Sequence, residues 1–159
     1  FNLSHCGMFA MDTMRMESGF LHWGHDISPE ENQYEAGLQF TISYKKNIDF
    51  IGKKNLLKIK DKKPKKIFLM LCLNESKPGE PLLLHDEPIY LKDKIIGRTT
   101  SGNYSFNYNK NMSFGYINCI SPIENLINKN FFVEVEKKKY EANIQTQALH
   151  DPKNKIIKS

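Results

Sequence analysis

Apolar and polar residues along this chain of 159 follow two different rhythms, and the change falls near Lys62–Lys66. Before it, Met8, Met11 and Met14 recur at helical spacing, with Phe9, Ala10 and Met16 filling in around them. Apolar positions that wrap most of a helix predict one that is largely buried, here with Asp12, Arg15 and Glu17 as charged exceptions. Ser4 is a candidate cap and Gly19 a candidate stop. Phe20–Trp23 then reads as extended or turn-like. His25–Glu31 carries turn chemistry, with Ser28 placed to cap before Pro29. Leu38, Phe40, Ile42 and Tyr44 alternate with polar neighbours, the two-residue period of a strand with one buried face. Ile51, Leu56 and Ile59 fall on one side of a short helix faced with lysines and ended by Pro64.

After Pro64 the helical rhythm stops. Ile67–Leu73 is a continuous apolar run of strand length. Pro78–Pro81 is a turn. Short strands follow over Ile89–Leu91, Lys94–Arg98, Thr99–Tyr108, Ser113–Asn118, Phe131–Glu136 and Lys139–Gln147, with Asn and Gly between them. Strands at this spacing predict a small antiparallel barrel or sandwich. Gly102, between two Thr/Ser-rich pieces, reads as a bulge or a barrel corner. The fold class is α+β, in two units: residues 1–63 and 64–159.

Composition narrows the function classes. Apolar residues make up 40% and aromatics 11%, which is a globular balance and not a disordered one. The net charge of +5 is local, since ten lysines lie between Lys45 and Lys66. No aromatic platform is interleaved with them, so the run reads as a solvated surface and no nucleic-acid partner is expected. Cys6, Cys72 and Cys119 are odd in number and far apart, which predicts neither a disulfide framework nor a zinc site. Reduced thiols fit an intracellular compartment. No apolar run reaches the roughly 20 residues of a membrane span, so no membrane is expected. The chain begins with Phe1 and carries no basic-then-apolar leader, as expected of a piece of a longer protein.

Chemistry concentrates between Gly7 and Leu38. Of 23 basic residues only Arg15 and Arg98 are arginines, and a chain that otherwise uses lysine keeps an arginine where a planar fork matters. Asp12, three positions earlier, is placed to pair with Arg15, whereas Glu17 cannot face it. Glu35 is expected to bond backbone groups as it opens a strand. His22 and His25 share a turn without a third ligand, so they read as structural and no metal is expected. No phosphate-binding or dinucleotide fingerprint occurs, so this stretch does not itself hold a flavin.

Several blocks in this order carry a resemblance. M-D-T-M-R-M-E-S-G-F at 11–20, W-G-H-D-I at 23–27, Y-E-A-G-L at 34–38 and D-F-I-G-K-K-N-L at 49–56 follow one another as D-x-L-R-L-E-A-G, Y-G-x-D, P-x-E-A-G-L and D-F-I-G-K-x-A-L do in the aminomethyltransferases, the family of the glycine cleavage T-protein. I-G-R-T-T-S-G-N-Y-S at 96–105 and N-K-N-M-S-F-G-Y-I at 109–117 resemble that family's C-terminal barrel signature. H-D-P-K-N-K-I-I-K at 150–158 resembles the chain end of sarcosine and dimethylglycine dehydrogenases. The resemblance implies that residues 1–63 are the C-terminal remnant of a folate-binding α/β core, followed by a Greek-key-like β-barrel.

It also implies tetrahydrofolate as cofactor, a small-molecule one-carbon donor, and a one-carbon unit passed from an N-methyl amine. Arg15, matching the arginine of the family's R-x-E motif, is the implied folate contact. The family's upstream aspartate and glutamate are not in this chain, so no catalytic residue is placed here. Ala148-Leu149-His150 stand where glycine-cleavage members carry an aromatic residue, which favours the methylglycine dehydrogenases. In those enzymes FAD occupies a separate upstream domain, and this chain would pack on its missing N-terminal region. Their setting implies the cytoplasm, or the mitochondrial matrix in a eukaryote. The rival expectations are a stand-alone glycine cleavage T-protein and a non-catalytic regulatory relative.

Overall fold

In the computed structural model of the chain, which describes residues 3–119, 122–156 and 158, the apolar run of the second half becomes β1 (Lys66–Leu73). Phe1, Asn2, Ile120, Ser121, Ile157 and Ser159 lie outside the described residues, so the two expected units and the final block are followed only between those limits. β1 is continuously apolar because both of its faces are covered. Leu69, Leu71 and Leu73 point into a core with Ile89, Ile117, Phe131 and Val133. Met70 and Cys72 point the other way, into a second cluster with Met16, Met112 and Phe114. Each fully buried side chain of this size contributes about 1.5–3 kcal/mol.

The remaining strands are β2 (Pro88–Leu91), β3 (Lys94–Ser105), β4 (Lys110–Asn118), β5 (Phe131–Val135) and β6 (Lys138–Gln145). They close into an antiparallel barrel in the order β1-β4-β3-β2-β5-β6. β2, β3 and β4 form a meander and β1 lies beside β4, which is the Greek-key relationship. The barrel expectation is therefore met, with one difference. The pieces expected at Lys94–Arg98 and Thr99–Tyr108 are one long strand, β3, whose pairing with β4 shifts register between Thr99 and Ser101. A bulge there bends a strand that must wrap around a closed barrel. Gly102 sits just beyond it. A Cβ at Gly102 would lie 2.4 Å from Leu83 Cβ and 2.8 Å from its carbonyl carbon, so glycine is required by close approach and not by an unusual backbone angle.

The first half is less as expected. Helix α1 (Met8–Glu17) lies across β3 and β4 and starts at Gly7, with no side-chain cap, rather than at Ser4. Its end follows expectation. Gly19 adopts φ +75°, its N–H bonds Met16 O at 3.0 Å, and the Phe20 N–H bonds Arg15 O at 2.8 Å. That pair of bonds is the Schellman ending, and it needs a left-handed residue at Gly19. The expected burial of α1 is corrected. Met16 and Glu17 are buried, but Met8 and Phe9 are 78% and 81% exposed and Met11 and Met14 are half exposed. The barrel covers one side of the helix only, and among the described residues nothing covers the rest.

The strand expected over Leu38–Tyr44 is also absent. A 3-10 turn at Gln39–Thr41 replaces it, closed by the Thr41 N–H and hydroxyl on Leu38 O, and Phe40 is exposed. Alternation makes a strand only where a ladder partner satisfies the backbone, and no described strand runs beside this segment. Glu35 accordingly opens no strand, although its carboxylate does accept a backbone bond, from the Asn32 N–H. Ser28 caps a turn and not a helix: its hydroxyl accepts the Glu30 N–H while Glu31 Oε2 accepts the Ser28 N–H and hydroxyl. Helix α2 (Lys53–Ile59) forms as expected with Leu56 and Ile59 half-buried, but Ile51 is fully exposed and the helix ends before Pro64 is reached. Two lysines of this region rest over aromatic rings, Lys53 over Phe50 and Lys60 over Tyr44. No described helix is long and apolar enough to cross a membrane.

Candidate functional site

α1 is anchored through its last turn, and that fixes the position of Arg15. Met16 enters the cluster beneath the helix, and the buried Glu17 carboxylate accepts bonds from Ser105 Oγ at 2.6 Å and Asn107 Nδ2 at 2.8 Å. The Glu17 carbonyl accepts the His150 N–H at 2.8 Å, which ties the C-terminal segment to the same turn. Arg15 is thereby presented to the β3 face. Its Nε–H bonds Asp12 Oδ1 at 2.7 Å, as the three-residue spacing requires. Nη1 bonds Asp26 Oδ2 and, at 3.2 Å, the Phe20 carbonyl; Nη2 bonds Ser101 Oγ at 2.9 Å. The guanidinium carbon lies 5.4 Å from the centre of the Phe114 ring.

Four of the five guanidinium N–H groups are thus engaged within the chain, leaving one on Nη2 without a partner among the described residues. Both fork edges of Arg15 are therefore partly committed to its own protein. A ligand is left one N–H of a side chain that is 14% exposed as a whole.

Asp26 is the residue that sequence reasoning missed. Its side chain is completely buried. Oδ1 accepts Thr100 Oγ1 at 2.6 Å and Ser101 Oγ at 2.7 Å; Oδ2 accepts the His22 N–H at 2.9 Å and Arg15. The Tyr116 hydroxyl donates to the Asp26 carbonyl at 2.8 Å. A signal was present, because Asp26 is the acid of the W-G-H-D block and is followed by no helix that it caps. What the sequence did not display is the partner set, 74 and 75 positions away.

Burial, and then the carboxylates of Glu31, Asp26 and Glu35, push the Tyr116 hydroxyl well above the usual tyrosine range, so it stays a donor. Beside it, burial pulls Glu31 upward, but hydrogen bonds from Lys66 and Ser28 and the Lys66 charge outweigh that and hold the carboxyl below its ordinary value. A polar cleft of about 440 Å³ opens here, lined by His25, Asp26, Lys66, Arg98, Thr100 and Tyr116 among others. A second, apolar groove of about 610 Å³ runs past Phe20, Trp23, Phe40 and Phe68. Arg98 is exposed and bonds Asp86. The His22 and His25 rings lie 4.6 Å apart, and among the described residues no group of His, Cys, Asp and Glu is arranged to hold a metal. The three cysteines are free thiols.

Comparison with known proteins supplies a context. Residues 1–46 match the GCVT N-terminal domain, and residues 68–151 match the glycine cleavage T-protein C-terminal barrel domain. A 4-methylaminobutanoate oxidase (formaldehyde-forming) of Paenarthrobacter nicotinovorans is 33% identical over 156 residues, which is 98% of this chain and 18% of that protein. The mitochondrial dimethylglycine dehydrogenase of Rattus norvegicus is 33% identical over 92% of this chain and 16% of its own length. An aminomethyltransferase of Symbiobacterium thermophilum is 33% identical over 70% of this chain and 29% of its own. The chain therefore spans under a fifth of the length of the first two. The crystal structure of glycine cleavage system aminomethyltransferase T from Bartonella henselae superposes with a TM-score of 0.76 and 20% identity, covering 90% of this chain and 38% of that one, which shows a shared fold.

Proposed function

Since the chain belongs to the glycine cleavage T-protein family, we propose that it forms the C-terminal part of a tetrahydrofolate-binding aminomethyltransferase region within a longer enzyme of the sarcosine and dimethylglycine dehydrogenase kind. That enzyme transfers a one-carbon unit from an N-methyl amine to tetrahydrofolate. The observation that carries this reading is the pairing of both family regions, in order, with an N-methyl-amine oxidase relative aligned over 98% of the chain and a dimethylglycine dehydrogenase relative aligned over 92% of it. In this reading residues 1–63 complete the folate-binding core and 64–159 are the barrel on which it rests. The compartment in this reading is the cytoplasm, or the mitochondrial matrix in a eukaryote, the second supported by a dimethylglycine dehydrogenase relative named mitochondrial.

The residues present fit one wall of such a site. α1 offers apolar side chains with no described residue over them, and Arg15 on the same helix keeps one N–H without a partner among the described residues. We assign the outward face of α1 to packing against the N-terminal region of the complete enzyme and Arg15 to the folate wall. When bound, tetrahydrofolate supplies the amine that accepts the one-carbon unit. Arg15 orients that ligand through a charge-assisted bond, while the wall excludes water and holds the two reactants near each other. FAD belongs to the upstream part, and none of these residues is assigned to it.

The test is the tetrahydrofolate dissociation constant of the complete enzyme. Arg15→Lys keeps the charge and shortens the reach, and weakens binding about tenfold or more, close to 1.4 kcal/mol. An unchanged constant would return Arg15 to a purely structural role. A stand-alone aminomethyltransferase is the second reading, favoured by the Symbiobacterium relative. Lack of a flavin-binding sequence upstream would select it.

A further inference from the structure

In a regular strand, successive side chains point to opposite faces. Thr100 and Ser101 are consecutive in β3, yet both hydroxyls bond the same oxygen, Oδ1 of Asp26, at 2.6 and 2.7 Å. The register shift between Thr99 and Ser101 makes this possible, since a bulge re-aims one side chain toward its neighbour's side. The result is a closed ring: Arg15 donates to Asp26 through Nη1 and to Ser101 through Nη2, and Ser101 donates on to Asp26. A counter-charge for Arg15 would need only the first of these contacts. The further donors, Thr100, Ser101 and the His22 N–H, orient the carboxylate itself.

We propose that Asp26, locked by the Thr100 bulge, is a positioning residue that sets the direction of the Arg15 guanidinium and so places the barrel in control of ligand affinity at α1. This rests on the reading of Arg15 as a wall of the folate site. Asp12 fixes the Nε edge from within the helix, whereas Asp26 and Ser101 fix the two Nη nitrogens from outside it. Because the guanidinium is planar, the direction of the remaining N–H is set jointly by Asp12 and the Phe20 carbonyl on one side and by Asp26 and Ser101 on the other.

The experiment measures KM for tetrahydrofolate, kcat at saturating tetrahydrofolate, and the melting temperature of the complete enzyme for Asp26→Asn, Ser101→Ala and Arg15→Lys. Asn keeps the shape and an acceptor for the two hydroxyls while removing the charge that holds Nη1. The proposal expects Asp26→Asn to raise KM about tenfold, the loss of one charge-assisted bond, with kcat retained. Ser101→Ala, which leaves the ion pair intact, raises KM in the same direction by a smaller factor. The double variant of Arg15→Lys and Asp26→Asn is no worse than the worse single one. If Arg15→Lys raises KM and Asp26→Asn and Ser101→Ala do not, Asp26 is structural and the proposal is wrong while the Arg15 reading stands. If Arg15→Lys itself leaves KM at the parent value, the underlying reading has failed instead. If Asp26→Asn does not fold, Ser101→Ala decides: a parent KM overturns the proposal.

Discussion

Arg15 and Ser101 stand 86 positions apart and are joined by a 2.9 Å hydrogen bond from Nη2 to Oγ. With Asp26 between them, the bond makes one polar unit of the helix, the turn that follows it and a barrel strand. Helix α1 has little else to hold it, because most of its apolar side chains face outward. Its place is set by Met16, Glu17, this unit and two longer bonds to β3, from Thr13 Oγ1 to the Tyr104 carbonyl at 3.4 Å and from Asn103 Nδ2 to the Phe9 carbonyl at 3.3 Å.

The ion pair at its centre is buried on the Asp26 side, so removing one partner leaves an uncompensated group. Asp26→Ala should destabilise the protein by about 3 kcal/mol, and Arg15→Ala by a comparable amount. In a double-mutant cycle followed by urea denaturation, the two losses should fall short of adding. Additive losses would show that the contact is not coupled.

Gly102 tests the barrel. Its missing Cβ leaves room for the Leu83 backbone and side chain, the nearest atom being only 2.4 Å from where a Cβ would stand. Gly102→Val should cost about 1–3 kcal/mol through overpacking. A mutant melting at the parent temperature would show that the strand and the Leu83 segment separate freely.

Glu31 gives the acid side of the stability profile. Its carboxyl is held below the ordinary 4.5 in the folded protein, net of a burial contribution that acts the other way. A group with a lowered folded value contributes stability that is fully present above its unfolded value and is lost as pH falls through the folded one. Glu31→Gln should therefore be less stable than the parent near pH 6–7 and approach it near pH 3. A stability gap that does not change with pH would remove the Lys66 and Ser28 contacts from the account.

Ligand sites normally enclose most of their ligand, and Arg15 is the single folate contact assigned here. The isolated chain should show no tight binding of tetrahydrofolate by calorimetry. A submicromolar dissociation constant would mean that these residues form the site unaided.

How much of this was legible depended on distance along the chain. The barrel could be read because β1 is apolar on both faces and the later strands are separated by turn residues. The Asp12–Arg15 pair could be read because helical geometry fixes neighbours three apart. The Gly19 stop was legible for the same local reason. Asp26 was not, since its partners reach it only through the fold and through a bulge that merges two expected strands. Leu38–Tyr44 misled in the opposite sense: its alternation is that of a strand, but among the described residues no strand lies alongside to complete the ladder. The outward methionines of α1 were misjudged because periodicity reveals an apolar surface without revealing what covers it.

The central claim concerns the fate of the one-carbon unit. The most direct measurement is the product balance when the complete enzyme oxidises an N-methyl amine, with an artificial electron acceptor, in the presence and absence of tetrahydrofolate. The account predicts methylenetetrahydrofolate formed at the expense of free formaldehyde, and a return of formaldehyde with Arg15→Lys at limiting tetrahydrofolate. Equal formaldehyde release with and without tetrahydrofolate would contradict it.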